Sequence, residues 1–286
     1  MNWLRPGGAF LPESRLRSRA NAFDAARLRA SVLRMAFAGS TVHVGCALSI
    51  IEIVAVLYRS HLNLGDRTPR AAGRDYLVLS KGHGVMAQYA CLHELGWLTD
   101  ADLDRYFSNG TRMKGLSDVH VPGLEVTSGS LGHGLPVATG LALGAQRLKS
   151  GQRVFCVVGD GEMNEGTMWE ALLFAAQFRL DNLVVIVDEN RFQAMGPTEE
   201  VISLGSLHAK FAAFDYDVLS VDGHDEKALD AALNELMARR NGRPKAIVAA
   251  TVKGRGVSFM ENNNVWHYTR LTKETFDAAL AEVEGR

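Results

Sequence analysis

Two apolar runs end in residues whose types suit a metal. The first closes on Gly159-Asp160-Gly161-Glu162-Met163-Asn164-Glu165-Gly166 and the second on Asp188-Glu189-Asn190-Arg191-Phe192-Gln193, so Asp160 and Asn190 stand thirty positions apart. A hard cation such as Mg²⁺ takes an octahedron of oxygens. One carboxylate, one amide oxygen and one backbone carbonyl would leave positions free for water and a ligand's phosphates. A half-built site of that kind calls for a diphosphate.

Such chemistry needs two strand ends brought together. Between the runs, Thr167 to Phe178 carries Trp169, Leu172, Leu173, Ala176 and Phe178 among few polar residues, the pattern of a helix packed on a sheet. Strand, helix, strand is a right-handed crossover, so the strands are parallel and can lie side by side. Their carboxyl ends then share the edge where open parallel sheets bind ligands. Gly161 lets backbone approach a phosphate, and the following helix offers free N–H groups and the positive end of its dipole. Gly-Asp-Gly alone is equally a turn; the asparagine closing the next strand is what favours the site.

The alternation continues along the chain. Phe23, Leu28, Val32, Met35 and Ala36 recur at helical spacing, and Leu48 to Leu57 reads as a second apolar helix. Further helices are expected over Met86 to Leu95, Leu135 to Leu148 and Glu226 to Met237, and strands over Tyr76 to Leu79, Val154 to Val158, Leu183 to Val187, Val218 to Val221 and Ala246 to Val252. This pattern predicts an α/β fold with a doubly wound, mainly parallel sheet covered on both faces. It would occupy residues 23–286, with residues 1–22 as an extension.

Composition sets limits. Lys and Arg number 31 against 32 Asp and Glu, a net charge of −1; with no basic stripe, nucleic acid is not an expected partner. No stretch is long and apolar enough to span a membrane. The first twenty residues hold several Arg and Glu13 and lack the apolar core of a signal peptide. Cys46, Cys91 and Cys156 sit in apolar contexts without metal-ligand spacing, as expected of buried thiols in a reducing cytoplasm.

Gly-Asp-Gly followed about thirty residues later by Asn resembles the signature of thiamine diphosphate enzymes, and other segments resemble the amino-terminal half of a transketolase. Thr41-Val42-His43-Val44-Gly45 is similar to that family's Ser-Gly-His-Pro-Gly, and Leu79-Ser80-Lys81-Gly82-His83-Gly84 to a second histidine motif. Ser128-Gly129-Ser130-Leu131-Gly132-His133-Gly134 is similar to a loop over the cofactor's rings, with His133 where Gln is common; Thr251-Val252-Lys253-Gly254-Arg255-Gly256, leading to Trp266-His267, matches a late motif.

The resemblance implies thiamine diphosphate and Mg²⁺ as cofactors, with Asp160, Asn190 and the carbonyl of Phe192 holding the metal. It implies that Gly129, Ser130, Leu131, Gly161 and Glu162 line the cofactor, and that His43, His83 and His267 touch it while acting on substrate. Imidazole titrates near neutrality and both donates and accepts, which suits proton movement around a ketose. Glu165 is similar to a family glutamate at the subunit contact, implied in relaying protons between paired sites; a plain carboxylate at a helix N-terminus is the alternative.

One loop departs from the pattern: the slot of a family histidine falls on Gly115, and His120 is displaced from it. Thiamine diphosphate enzymes also need a glutamate from a second domain to activate the aminopyrimidine, whereas every motif here belongs to the diphosphate half. The expectation is the amino-terminal subunit of a two-chain transketolase, joined in an α₂β₂ assembly to a carboxy-terminal subunit bearing the pyrimidine-binding domain. Apolar surface should then be exposed around residues 129–134 and 165–178. The assembled enzyme would move a two-carbon ketol unit from a ketose, expected to be a phosphate, to an aldose. Alternatives are the α subunit of a 2-oxoacid dehydrogenase and a non-catalytic diphosphate-binding protein; the histidine motifs favour the transketolase.

Overall fold

The computed structural model describes residues 23–285, and the extension over residues 1–22 lies outside them. Five parallel strands make one sheet: β1 (Tyr76–Leu79), β2 (Val154–Gly159), β3 (Leu183–Glu189), β4 (Asp217–Asp222) and β5 (Lys245–Ala250), ordered β1-β2-β3-β5-β4. The helices are α1 (Ala25–Ala38), α2 (Val44–Leu48), α3 (Ile51–Val56), α4 (Val85–Glu94), α5 (Asp100–Asp104), α6 (Gly134–Leu148), α7 (Gly166–Gln177), α8 (Thr198–Ile202), α9 (Leu207–Ala213), α10 (Glu226–Ala238) and α11 (Lys273–Glu284).

Both faces of the sheet are buried, which is why its central strands are apolar throughout. β2 sends Phe155 and Val157 into one core and Val154, Cys156 and Val158 into the other; β3 divides Val184 and Ile186 from Leu183, Val185 and Val187 in the same way. The first core is closed by α1–α4, α10 and α11, the second by α6, α7 and α9. The expected crossover is β2–α7–β3, with Gly159 in register with Asp188, so the Gly-Asp-Gly turn and the Asn190 turn leave neighbouring strands at the same edge.

Three local differences have physical causes. The helix expected over Leu48 to Leu57 is two short ones, α2 and α3, followed by a π turn at Leu57–His61. It breaks at Ser49, whose hydroxyl lies 3.1 Å from the Cys46 carbonyl and 2.8 Å from Asp188, a side-chain bond that competes with the helix ladder. β5 ends at Ala250 rather than Val252, because Thr251 turns its hydroxyl onto Asp188. Finally, α11 had no expectation; a Thr272/Thr275 capping box starts it, and it packs on α1 through stacked Phe37 and Phe276 rings 4.5 Å apart.

Candidate active site

Every strand contributes its carboxyl end to one edge. Asp160, directly after β2, is 3 % exposed; its oxygens accept from the amides of Gly161 and Arg191, each at 2.7 Å. Burial, together with the charge of Asp188 nearby, raises its pKa to about 7. A buried carboxylate held against its own charge is what a cation would relieve. Asn190 donates through Nδ2 to Asp188 at 2.7 Å, while its Oδ1 accepts from Phe192 N–H at 3.0 Å. These two bonds decide which end of the amide is oxygen. Among the described residues no three His, Cys, Asp or Glu side chains gather to hold a metal. An ion here would therefore rest on Asp160 and neutral oxygens, the donor set that Mg²⁺ accepts when phosphates complete its shell.

Gly161 is the cradle beside them: a Cβ there would lie 2.6 Å from Gln193 Cγ. The Nε2 of Gln193 and the Nδ2 of Asn164 are buried donors without a partner among the described residues. Orphaned donors cost about 1–3 kcal/mol each, so an anionic group bound at this turn would supply acceptors that both donors lack. The residues fit a diphosphate with its cation.

Beneath the edge lies a carboxylate hub that sequence reasoning missed. Asp188 is fully buried and accepts from Ser49, Lys81, Thr251 and Asn190. Lys81, itself 1 % exposed, is kept protonated by that carboxylate against the cost of burial. The clue was available in the sequence, since a carboxylate in an otherwise apolar strand must find partners.

Three imidazoles meet above the hub. The rings of His43 and His83 are 5.4 Å apart, those of His43 and His267 5.3 Å, and those of His83 and His267 6.0 Å. His43 has φ 69°, a left-handed conformation that non-glycine residues rarely take and that clusters at functional sites; its N–H donates to the His267 carbonyl at 3.0 Å. Lys253 Nζ lies 2.7 Å from His267 Nδ1. Because an ammonium can only donate, Nδ1 is the acceptor and the ring proton sits on Nε2. Burial first, then Lys253, lowers the His267 pKa to about 3, and burial likewise lowers His43 and His83. All three are neutral near pH 7. Tyr268, 60 % exposed, stands at the mouth with its ring 4.7 Å from His267 and 5.6 Å from His43.

The loop over Gly129, Ser130 and Leu131 touches the His83 turn through backbone: a Cβ on Gly82 would lie 2.5 Å from the Ser128 carbonyl. Gly129 takes φ 129° under Leu116. Glu162 braces this loop from inside, both oxygens engaged by protein donors: Ser80 at 2.6 Å and the amides of Gly132 and Gly159 at 3.0 and 3.2 Å. Glu165 is exposed at the N-cap of α7 and makes no capping bond. His120 is 83 % exposed, bonded to Asp118, and lies outside the ring cluster. Exposed apolar residues include Val137 and Leu148 on α6 and Leu173, Phe174 and Phe178 on and after α7. Over residues 129–134, by contrast, the exposed side chains are Ser130 and His133, so the apolar face runs along the two helices and not over that loop.

The sequence profile described as "Transketolase, thiamine diphosphate binding domain" matches residues 20–282. One of the subunits of the apulose-4-phosphate transketolase of Phocaeicola vulgatus is 35 % identical, over 90 % of this chain and 92 % of its own length. The 6-deoxy-6-sulfo-D-fructose transketolase subunit SqwG of a Clostridium species is 40 % identical, over 85 % and 88 %. The transketolase structure from Leishmania mexicana superposes with a TM-score of 0.84 at 30 % identity, covering 91 % of this chain and 40 % of that one; this chain thus spans about two fifths of that solved transketolase. The chain belongs to the transketolase family, as its thiamine diphosphate-binding domain.

Proposed function

We propose that this chain is the amino-terminal subunit of a two-chain transketolase, which transfers a two-carbon ketol unit from a phosphorylated ketose to an aldose. The observation that carries the reading is the meeting, at one sheet edge, of the Asp160–Asn190 pair with three neutral imidazoles. Thiamine diphosphate supplies a carbon that can take up and release the ketol unit, and Mg²⁺, held by Asp160, Asn190 and the Phe192 carbonyl, would offset the diphosphate's charge. Gly129, Leu131 and Gly161 offer backbone to that cofactor. Relatives named as transketolase subunits of similar length favour this reading over a 2-oxoacid dehydrogenase chain or a non-catalytic binder.

The histidines act as neutral groups. His267 presents Nε2–H, since Lys253 occupies Nδ1, and so donates to a sugar oxygen as negative charge develops on it; a neutral imidazole with a lowered pKa is suited to that task. His43 and His83, held neutral beside it, can each donate from one nitrogen and accept at the other, which permits them to pass a hydroxyl proton. Lys81 and Lys253 stand near the three rings, and their charges disfavour ionised imidazole there.

The partner is a chain bearing the pyrimidine-binding domain, and the apolar face of Val137, Leu148, Leu173, Phe174 and Phe178 is the surface available for assembly, as α₂β₂. Glu165, exposed at the N-cap of α7, is a residue for the subunit contact. Mixing the purified chain with its partner, Mg²⁺, thiamine diphosphate, a ketose phosphate and an aldose should give ketol transfer that neither chain gives alone. Robust transfer by this chain on its own would sink the two-chain reading, and turnover of pyruvate in its place would favour the dehydrogenase.

A further inference from the structure

Three buried ionisable side chains serve no step described above. Arg29 on α1, Glu52 on α3 and His224 just after β4 converge: one oxygen of Glu52 accepts from Arg29 Nη2 at 2.5 Å, the other lies 3.0 Å from His224 Nδ1. Their side chains are only 8–9 % exposed. Burial pushes the Glu52 carboxyl up, but its bonds to His224 and Arg29 overcome this and hold it below the ordinary range. Net stability is a weak reason for such a group, because the desolvation of buried charges offsets most of their attraction.

Its outward bonds point elsewhere. Arg29 Nε donates to the Arg255 carbonyl at 2.9 Å, and the Val252 amide donates to His224 Nε2 at 2.8 Å. The two bonds fall on either side of Lys253. Because Nε2 accepts, the proton of His224 resides on Nδ1, which donates it in a hydrogen bond to Glu52. Gly256 completes the fit: at φ 97° it presses on Arg29, and a Cβ there would lie 2.7 Å from Arg29 Cδ. Lys253 Nζ also donates to Asn264 Oδ1 at 2.9 Å and lies 3.4 Å from the Gln193 carbonyl, so the placement of its backbone decides how its protons are shared between these acceptors and Nδ1 of His267.

We propose that Arg29, Glu52 and His224 form a positioning clamp that holds the 252–255 turn and thereby keeps Lys253 on Nδ1 of His267. His224 is the decisive member, since its tautomer, set by Glu52, supplies the acceptor for Val252. The catalytic consequence rests on the reading of His267 as a substrate-facing donor; the clamp itself rests on geometry.

The test uses the full chain labelled with ¹⁵N and heteronuclear spectroscopy. In the unsubstituted chain a through-hydrogen-bond ¹⁵N–¹⁵N coupling should connect the Val252 amide with His224 Nε2, and His267 should show a single Nε2–H tautomer. His224→Gln keeps an acceptor at the Nε2 position, whereas His224→Asn keeps a donor near Glu52 and loses that acceptor. The Gln variant should leave the His267 signals unchanged. In the Asn variant His267 should become a tautomer mixture and titrate higher by about one pH unit or more, since of the groups facing it (Lys253, Lys81 and His43, His83, Cys46 and Tyr268) only Lys253 is released. Should the Asn variant not fold, the native coupling decides. Absence of that coupling, or identical His267 spectra in the Gln and Asn variants, overturns the clamp. The tautomer result together with no ketol transfer by any assembled form would uphold the clamp and reject the transketolase reading.

Discussion

Replacing Lys81 by Met should destabilise the chain far more than loss of one surface contact, because it strands a charge. Asp188 has no exposed surface, and without Lys81 its carboxylate keeps only neutral donors, Ser49, Thr251 and Asn190. Breaking a buried pair by removing one partner costs about 3–5 kcal/mol. Asp188→Asn should cost a similar amount, since it leaves the ammonium with Ser49 Oγ at 3.4 Å and frees the Asn190 amide. The double variant removes both charges and should cost less than the sum by about 2 kcal/mol or more. Urea denaturation read by circular dichroism gives the free energies, and each kcal/mol should lower the melting temperature by roughly 2–4 °C. A Lys81→Met chain within about 0.5 kcal/mol of the native one, or strict additivity in the cycle, would refute the reasoning.

Acid should weaken the fold through the ring cluster. The folded pKa values of His43, His83 and His267 lie below 6.5, so the unfolded chain takes up protons that the fold refuses. Their contribution is complete above pH 6.5 and is lost as pH falls toward the folded values, at up to about 1.4 kcal/mol per pH unit per group; His267→Gln should make stability between pH 6.5 and 4 visibly less steep in calorimetry, and an unchanged slope would contradict the assignment. In the assembled enzyme His83→Ala should lower turnover by about a hundredfold or more, while His120→Ala should leave it unchanged, with steady-state kinetics as the check. Asp160→Ala should abolish calorimetric binding of Mg²⁺ with thiamine diphosphate to the chain without altering its circular dichroism. Phe174→Glu with Phe178→Glu should leave the chain folded but prevent its association with the partner in sedimentation, and retained association would move the interface elsewhere.

The parts of this molecule that sequence reading reached are those with local causes. β2, α7 and β3 announce themselves by run length and turn residues, and the turns at Gly161 and Asn190 follow directly. The histidine cluster was reachable only through motif resemblance, because no periodicity relates positions 43, 83 and 267. For the Asp188 hub the need for partners was readable but their identity was not: besides the adjacent Asn190, they are Ser49, Lys81 and Thr251, on three separate segments, and pairing between distant polar residues leaves no pattern along a chain. His120, displaced from the family slot in the sequence, is exposed and bonded to Asp118 through its amide and its ring, so there the departure read in the sequence and the geometry agree.

The bond from the His43 amide to the His267 carbonyl has a consequence in time. Cys46, three residues on from His43, lies 221 positions from His267, so the ring cluster draws on an early and a late stretch of the chain. At about 5–20 residues per second, synthesis leaves roughly ten to forty seconds between their appearances, and closing so long a loop carries an entropy cost that only the docked sheet can repay. The sheet and its Gly-Asp-Gly turn can form on the ribosome while the cavity above them is still unwalled. Maturation of the pocket therefore waits for the stretch that carries His267, and a ribosome-bound chain lacking the segment after Thr251 should hold the fold's centre without the ring cluster.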